Sequence, residues 1–263
     1  DRSDDRQVEV KVGSLILETI ANAFEEEGNS GSITLDAVSP ESWDIGRASE
    51  DGDARTPPWE DLIGAATPRS RLVRCEVDLR SSTLKQRVIC ERHVAYPSVN
   101  PKVGCRKNRY IFCGVAHGED AGPIAGVAKV DAETGAVDAW VPGPTEFGGA
   151  PQFVPRGDGA EDDGFLISVI FDGSAGRSDV VILDASDVAK GPICRFPLRE
   201  AMPHGLGGGT WAEGLSCDEK LLKRKFTLLK MFKKKAQQWN KFDSSVSVSG
   251  LNNLFQKQGV KMR

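Results

Sequence analysis

Histidine is scarce in this 263-residue chain: there are three, His93, His117 and His204. A metal centre built on several imidazoles would need more than these scattered positions supply. The six cysteines (Cys75, Cys90, Cys105, Cys113, Cys194, Cys217) include no CxxC pair, which removes zinc-ribbon and thioredoxin-type readings. There is no Asn-x-Ser/Thr sequon, so free thiols in a reducing, intracellular setting are expected. No apolar run exceeds pieces such as ISVIF and VVIL, far short of the roughly 18 residues that a membrane-spanning helix needs. No GxSxG elbow is present, and Gly205 to Gly209 has no Gly-Lys-Ser/Thr and opens no GxGxxG helix, which excludes those nucleophile and phosphate loops. The acidic turn GDGAEDDG (157–164) lacks EF-hand spacing and reads as a solvated turn between strands.

What is present is a cadence of short apolar runs broken by turn residues. Strands are expected over 8–17, 33–38, 71–79, 85–94, 109–116, 124–131, 135–141, 165–171 and 180–185, with another entering at Gln152. Asp131 to Gly135 (DAETG) reads as a tight hairpin in which Gly135 takes positive φ, and DGSAGRSD separates FLISVIF from VVILDA. Residues 39–69 are rich in Pro, Gly, Asp and Ser and read as a loop insertion with one helical turn near Leu62. No internal repeat is visible by eye.

Charge divides the chain in two. Residues 1–211 carry 22 Lys and Arg against 34 Asp and Glu, whereas residues 212–263 carry 12 against 4. In the second part Leu221, Leu222, Phe226, Leu229, Phe232 and Trp239 recur at mostly helical spacing among lysines. A basic amphipathic helix of this kind packs on its own domain, lies on an anionic membrane surface or docks on a partner. Nucleic acid is not expected, because the basic segment has no aromatic platform or fold signature beside it.

Four segments carry a resemblance. Thr19-Ile-Ala-Asn22-Ala23-Phe24-Glu25 is similar to His-x-x-Asn-Ala-Trp/Tyr-Glu, and Ala95-Tyr96-Pro97-Ser-Val99-Asn100-Pro101 with Arg109-Tyr110 to Glu-Phe-Pro-x-Val-Asn-Pro…Arg-Tyr. Gly148-Gly149-Ala150-Pro151-Gln-Phe153-Val154-Pro155-Arg156 is similar to Gly-Gly-Glu-Pro-x-Phe-Val-Pro-Arg, and it leads into Glu161-Asp162-Asp163-Gly164 and Ile182-Leu183-Asp184-Ala185. Pro203 to Trp211 (PHGLGGGTW) is similar to Pro-x-Gly-Leu-His-Gly-Thr-Trp. In this order they resemble the later part of the carotenoid cleavage oxygenases.

That resemblance implies an all-β fold: part of a seven-bladed propeller of antiparallel meanders over 1–211, with a C-terminal α-helix in a separate basic tail, 212–263. An incomplete ring exposes sheet edges, and poor solubility or association with another chain is expected. In the family, four histidines hold Fe(II) and second-shell glutamates orient them, and a carotenoid or apocarotenoid double bond is cleaved oxidatively. Here Thr19 and Gly207 stand at two ligand positions, and Ala95 and Ala150 at two glutamate positions. The expectation is therefore a non-catalytic or truncated member of the family that binds no metal, with His204 as a lone candidate ligand three residues before Gly207. Two alternatives stay open: an active dioxygenase completed by a missing N-terminal half, and a lipid- or partner-binding module that uses the basic tail. A plastid setting follows by family resemblance alone.

Overall fold

The computed structural model describes residues 9–26, 31–42, 68–119 and 122–202. Among these there is no α-helix, only thirteen strands and two single 3₁₀ turns, and no helix long and apolar enough to cross a membrane. The strands fall into three antiparallel sheets that follow the chain. The first is β1 (Thr19–Glu25), β2 (Ser32–Pro40), β3 (Ser70–Asp78) and β4 (Thr83–Cys90), each paired with the next. The second is β5 (Val94–Ser98), β6 (Tyr110–Ala116), β7 (Ile124–Asp131) and β8 (Val137–Trp140), paired in the same way. In the third, β9 (Glu146–Gly148) and β10 (Gln152–Pro155) share one edge of β11 (Gly164–Asp172), which pairs β12 (Arg177–Asp184) and then β13 (Pro192–Pro197). A meander of this kind needs only local hairpins, which the dense turn chemistry of the sequence supplies.

The second sheet is covered on both faces. Ile111, Cys113 and Val115 of β6, with Ala128 and Val130 of β7, pack with Val38, Leu72 and Ile89 of the first sheet. Their strand neighbours Phe112 and Val127 point the other way, into Phe153, Leu166, Ile170, Val181 and Leu183 of the third. Period-2 alternation thus feeds two cores from one sheet, which is why β6 and β7 read as unbroken apolar runs. Burying one such aromatic or aliphatic side chain is worth about 1.5–3 kcal/mol, and Phe112 stacks on Phe153 with ring centroids 4.9 Å apart. Gly148 allows the close approach of the second and third sheets, because a Cβ there would sit 2.5 Å from the Ala125 carbonyl oxygen.

Three positions repeat. Asp78, Asp131 and Asp184 each end the next-to-last strand of a sheet, and each caps the turn that follows with its own carboxylate. Asp78 accepts from the N–H groups of Arg80 and Ser81 (2.8 and 3.2 Å), and Asp131 from those of Glu133 and Thr134 (2.9 and 3.0 Å). Asp184 accepts from the N–H and hydroxyl of Ser186 (2.9 and 2.6 Å). These are Asx turns, and they mark a structural repeat that residue identity alone does not show. Gly135 closes its hairpin at φ +75°, as the DAETG pattern predicts.

Two expectations are corrected. Residues 9–18 form no strand, and the first ladder begins at Thr19. In the antiparallel register that pairs Thr19 with Val38, earlier residues would meet Pro40, which has no N–H to offer. Leu15 and Leu17 instead pack by side chains against Ala37, Val73 and Cys75. The strand expected over 85–94 is two, because the chain leaves the first sheet after Cys90 and enters the second at Val94. Strands β1, β5, β9 and β13 were not expected; Pro97, Pro192 and Pro197 hide two of them, as prolines of edge strands do.

Candidate functional site

The first strand of each meander carries the positions at issue. Thr19 opens β1 and is exposed; Ala95 is the second residue of β5 and half-buried; Ala150 lies half-buried in the link between β9 and β10. These leading strands follow one another: β1 packs on β5, and the Ser98 hydroxyl at the end of β5 donates to the Pro151 carbonyl at 3.3 Å. Next to Ala95 the backbone is strained. Tyr96 sits at φ +55°, where the β5–β6 register shifts, and burial, with a smaller contribution from the Glu18 charge, raises its phenol above the ordinary value.

Thr19, Ala95 and Ala150 offer a hydroxyl and two methyl groups at these positions. A neutral threonine oxygen is a poor ligand for ferrous iron beside imidazole, and alanine has nothing with which to orient a histidine. The residues present therefore do not fit the four-histidine iron centre that the resemblance implies. Gly207 and the candidate His204 lie outside the described residues, as do the basic tail with its expected helix and most of the 39–69 insertion.

The two described histidines have other duties. His93 is buried and its Nδ1 accepts the Ser70 N–H at 2.9 Å. His117 places Nε2 3.0 Å from the Glu146 carbonyl oxygen and stands edge-on to Phe147. Among the described residues no three His, Cys, Asp or Glu side chains come together as a metal group. The described cysteines are free thiols, and burial pushes Cys75, Cys90 and Cys113 above the ordinary thiol value.

The motif residues that survive build the joints between meanders. Asn22, three positions after Thr19 on β1, is buried; its amide donates to the Arg106 carbonyl and to Asn108 Oδ1 (both 2.8 Å) and its Oδ1 accepts the Cys105 N–H at 2.9 Å. Asn108 in turn donates to Asp36 Oδ2 at 3.0 Å, and Asp36 takes a bidentate pair of bonds from Arg74, both 2.7 Å. Asp36 and Arg74 face each other across β2 and β3, and the chain ties the first sheet to the loop that leads into β6. Each member is at most 6% exposed, and every buried charge is paired.

A second joint links the second and third meanders through the turn that reads as solvated in the sequence. Glu161 accepts the N–H groups of Arg109 (2.9 and 3.0 Å) and Tyr110 (2.8 Å), and its carbonyl accepts from the Asn100 amide at 2.8 Å. Lys129 reaches Asp162 at 3.1 Å and the Ser186 carbonyl at 2.7 Å. Arg156 bridges Asp163 (3.1 Å) and Asp184 (2.9 Å) while lying over the Phe165 ring. The turn does sit between strands, but its side chains are clamps; a run of acids gives no hint that backbone N–H groups await it. Asp36 carries a signal of its own, a carboxylate set beside Leu35, Ala37 and Val38 in β2, whereas Arg74 does not stand out in a strand that also holds Arg71, Glu76 and Asp78.

Antiparallel sheets in a sequential meander, joined by polar clamps, define an all-β protein. Residues 1–213 match the retinal pigment epithelial membrane protein (RPE65) family, and the chain belongs to that family, which includes the carotenoid cleavage oxygenases. It is 34% identical over 195 residues to the apocarotenoid-15,15'-oxygenase of Synechocystis sp., covering 73% of this chain and 38% of that protein. It is 30% identical to a chloroplastic 9-cis-epoxycarotenoid dioxygenase of Arabidopsis thaliana, covering 71% of this chain and 30% of that one. The crystal structure of cobalt-substituted Synechocystis apocarotenoid oxygenase superposes with a TM-score of 0.67 at 33% identity, over 77% of this chain and 40% of that one. The chain thus spans about two fifths of the length of these two Synechocystis matches.

Proposed function

We propose that this chain is a carotenoid-oxygenase family member that holds no iron through its own residues, its three meanders being consecutive blades of the family's propeller. The observation that carries the reading is the selective pattern of substitution. Asn22, Asn100, Arg109 and Glu161, which join the meanders, and Arg156, which braces the third, are kept, while Thr19, Ala95, Ala150 and Gly207 replace the groups that would ligate or orient iron. A glutamate that only orients a histidine loses its purpose once the histidine is gone, so the ligand and second-shell losses belong together.

On this reading the chain retains affinity for a carotenoid or apocarotenoid without cleaving it, in a plastid as the chloroplastic relatives suggest. A cavity of about 650 Å³ lined by Glu25, Glu26, Cys105, Arg106 and Lys107 is too highly charged to hold a polyene. A second reading, an active dioxygenase completed by chain outside this sequence, draws on the two-fifths span of the relatives. It would still have to replace the ligands at Thr19 and Gly207, for which His204 offers one imidazole.

The test is incubation of the purified chain with an apocarotenoid, Fe(II) and oxygen, following polyene absorbance. The proposal expects a bound, shifted spectrum whose intensity persists. Oxygen-dependent bleaching with aldehyde products would overturn it in favour of the second reading.

A further inference from the structure

His93 occupies the seam where the chain passes from the first sheet to the second. Its own N–H donates to the Glu119 carbonyl at 2.8 Å, and its carbonyl accepts the Ala116 N–H at 3.1 Å, so its backbone is fixed to the end of β6. Its ring turns back to β3. Ser70, the first residue of that strand, faces Pro40 in the ladder, and its buried N–H is taken by His93 Nδ1 at 2.9 Å. An imidazole nitrogen accepts only when it carries no proton, so the ring is held as the neutral tautomer with hydrogen on Nε2.

We infer that His93 is a proton-sensitive latch between the first two meanders, holding the start of β3 to the start of β5 when neutral and releasing it when protonated. Protonation would set two N–H donors against each other and leave the Ser70 amide buried without an acceptor. The charged and titratable groups on the surrounding elements are Glu41 after β2, Arg69 and Arg71 at β3, Cys90, Glu91 and Arg92 at the end of β4, and His117 and Glu119 after β6. Glu41 and Glu91 are already engaged by Arg69 and Arg71, at 3.0 to 3.6 Å, and do not stand ready to neutralise an imidazolium. Burial first, and then the Arg69 charge, lowers the His93 pKa below the ordinary imidazole value.

The direction of the effect follows. Above about pH 6.5 neither the folded nor the unfolded chain protonates this histidine; below it the unfolded chain takes a proton that the folded chain refuses. Folding therefore weakens as the medium acidifies, by up to about tenfold in equilibrium constant per pH unit, until the folded-state pKa is reached.

The experiment is denaturant unfolding of the full chain between pH 5 and pH 8, for the wild type and for His93→Asn, whose Oδ1 can accept from Ser70 but does not titrate. The wild type is expected to lose stability below about pH 6.5 and H93N to lack that loss, with His117 and His204 present in both. Parallel profiles would overturn the inference. Should H93N fail to fold, isotopic labelling of the histidine rings and the serine amides in the wild type decides: the Ser70 amide resonance must move with the His93 titration, at a midpoint below the free-histidine value. An ordinary midpoint, or an unmoved Ser70, would equally overturn it.

Discussion

Thr19 and Asn22 stand three residues apart on one strand and have met opposite fates. Asn22 is buried at the head of a polar chain that runs through Asn108 and Asp36 to Arg74, and it retains the identity of the family motif. Thr19 is exposed, makes no comparable set of bonds, and departs from that motif. Asn100, buried and bonded to the Glu161 carbonyl, likewise keeps the motif's identity where the nearby Ala95 departs from it. A side chain whose removal would strand buried partners is held in place by folding itself, whereas a metal ligand is held only by the metal's use. On the proposed function, the contrast separates the residues that hold the fold from those that would serve a metal.

The largest effect that sharpens this contrast lies at the far end of the polar chain. Arg74→Met leaves the Asp36 carboxylate buried without its cation and should cost about 3–5 kcal/mol by denaturant unfolding, whereas the double change Asp36→Leu with Arg74→Met should recover most of that loss. A single variant no less stable than the double would break the account of the joint. Next, Asn22→Ala should cost about 1–3 kcal/mol by orphaning the Cys105 N–H and Asn108, while Thr19→Ala should stay within about 0.5 kcal/mol. Equal losses from the two would erase the distinction between them.

A smaller effect tests the repeated aspartates. The hydroxyl and N–H of Ser186, with Arg156, pull the Asp184 carboxyl down to about 2. Because the folded value lies below the unfolded one, its stabilisation is complete above about pH 4 and disappears as pH falls through 4 towards 2. Asp184→Asn should therefore be destabilising by about 1–2 kcal/mol at neutral pH, with the difference from wild type closing in that acid window. A difference that persists unchanged at pH 2.5 would contradict the assignment.

The sheets were legible in the sequence wherever alternation and turn chemistry agreed, as in FLISVIF, VVILDA and the DAETG hairpin. They were not legible where packing overrode local pattern. VEVKVGSLIL alternates like a strand, yet the proline at position 40 offers no N–H to its ladder, and the prolines of YPS and PICRFP disguise edge strands. The repeat was hidden because Asp78, Asp131 and Asp184 share a role in geometry with little surrounding identity. The substituted ligand positions could be read from the motifs, since residue type alone decides whether a nitrogen is available. The joints could not, because Glu161 acts on backbone N–H groups more than 50 residues away and Asn108 on the side chains of Asn22 and Asp36 in the first sheet.

The central claim concerns iron, and iron content measures it most directly. The purified chain, loaded with Fe(II) without oxygen and then freed of unbound metal by gel filtration, should retain far less than one iron per chain. One tightly held iron per chain, with imidazole nitrogens in its coordination sphere by X-ray absorption, would contradict the account.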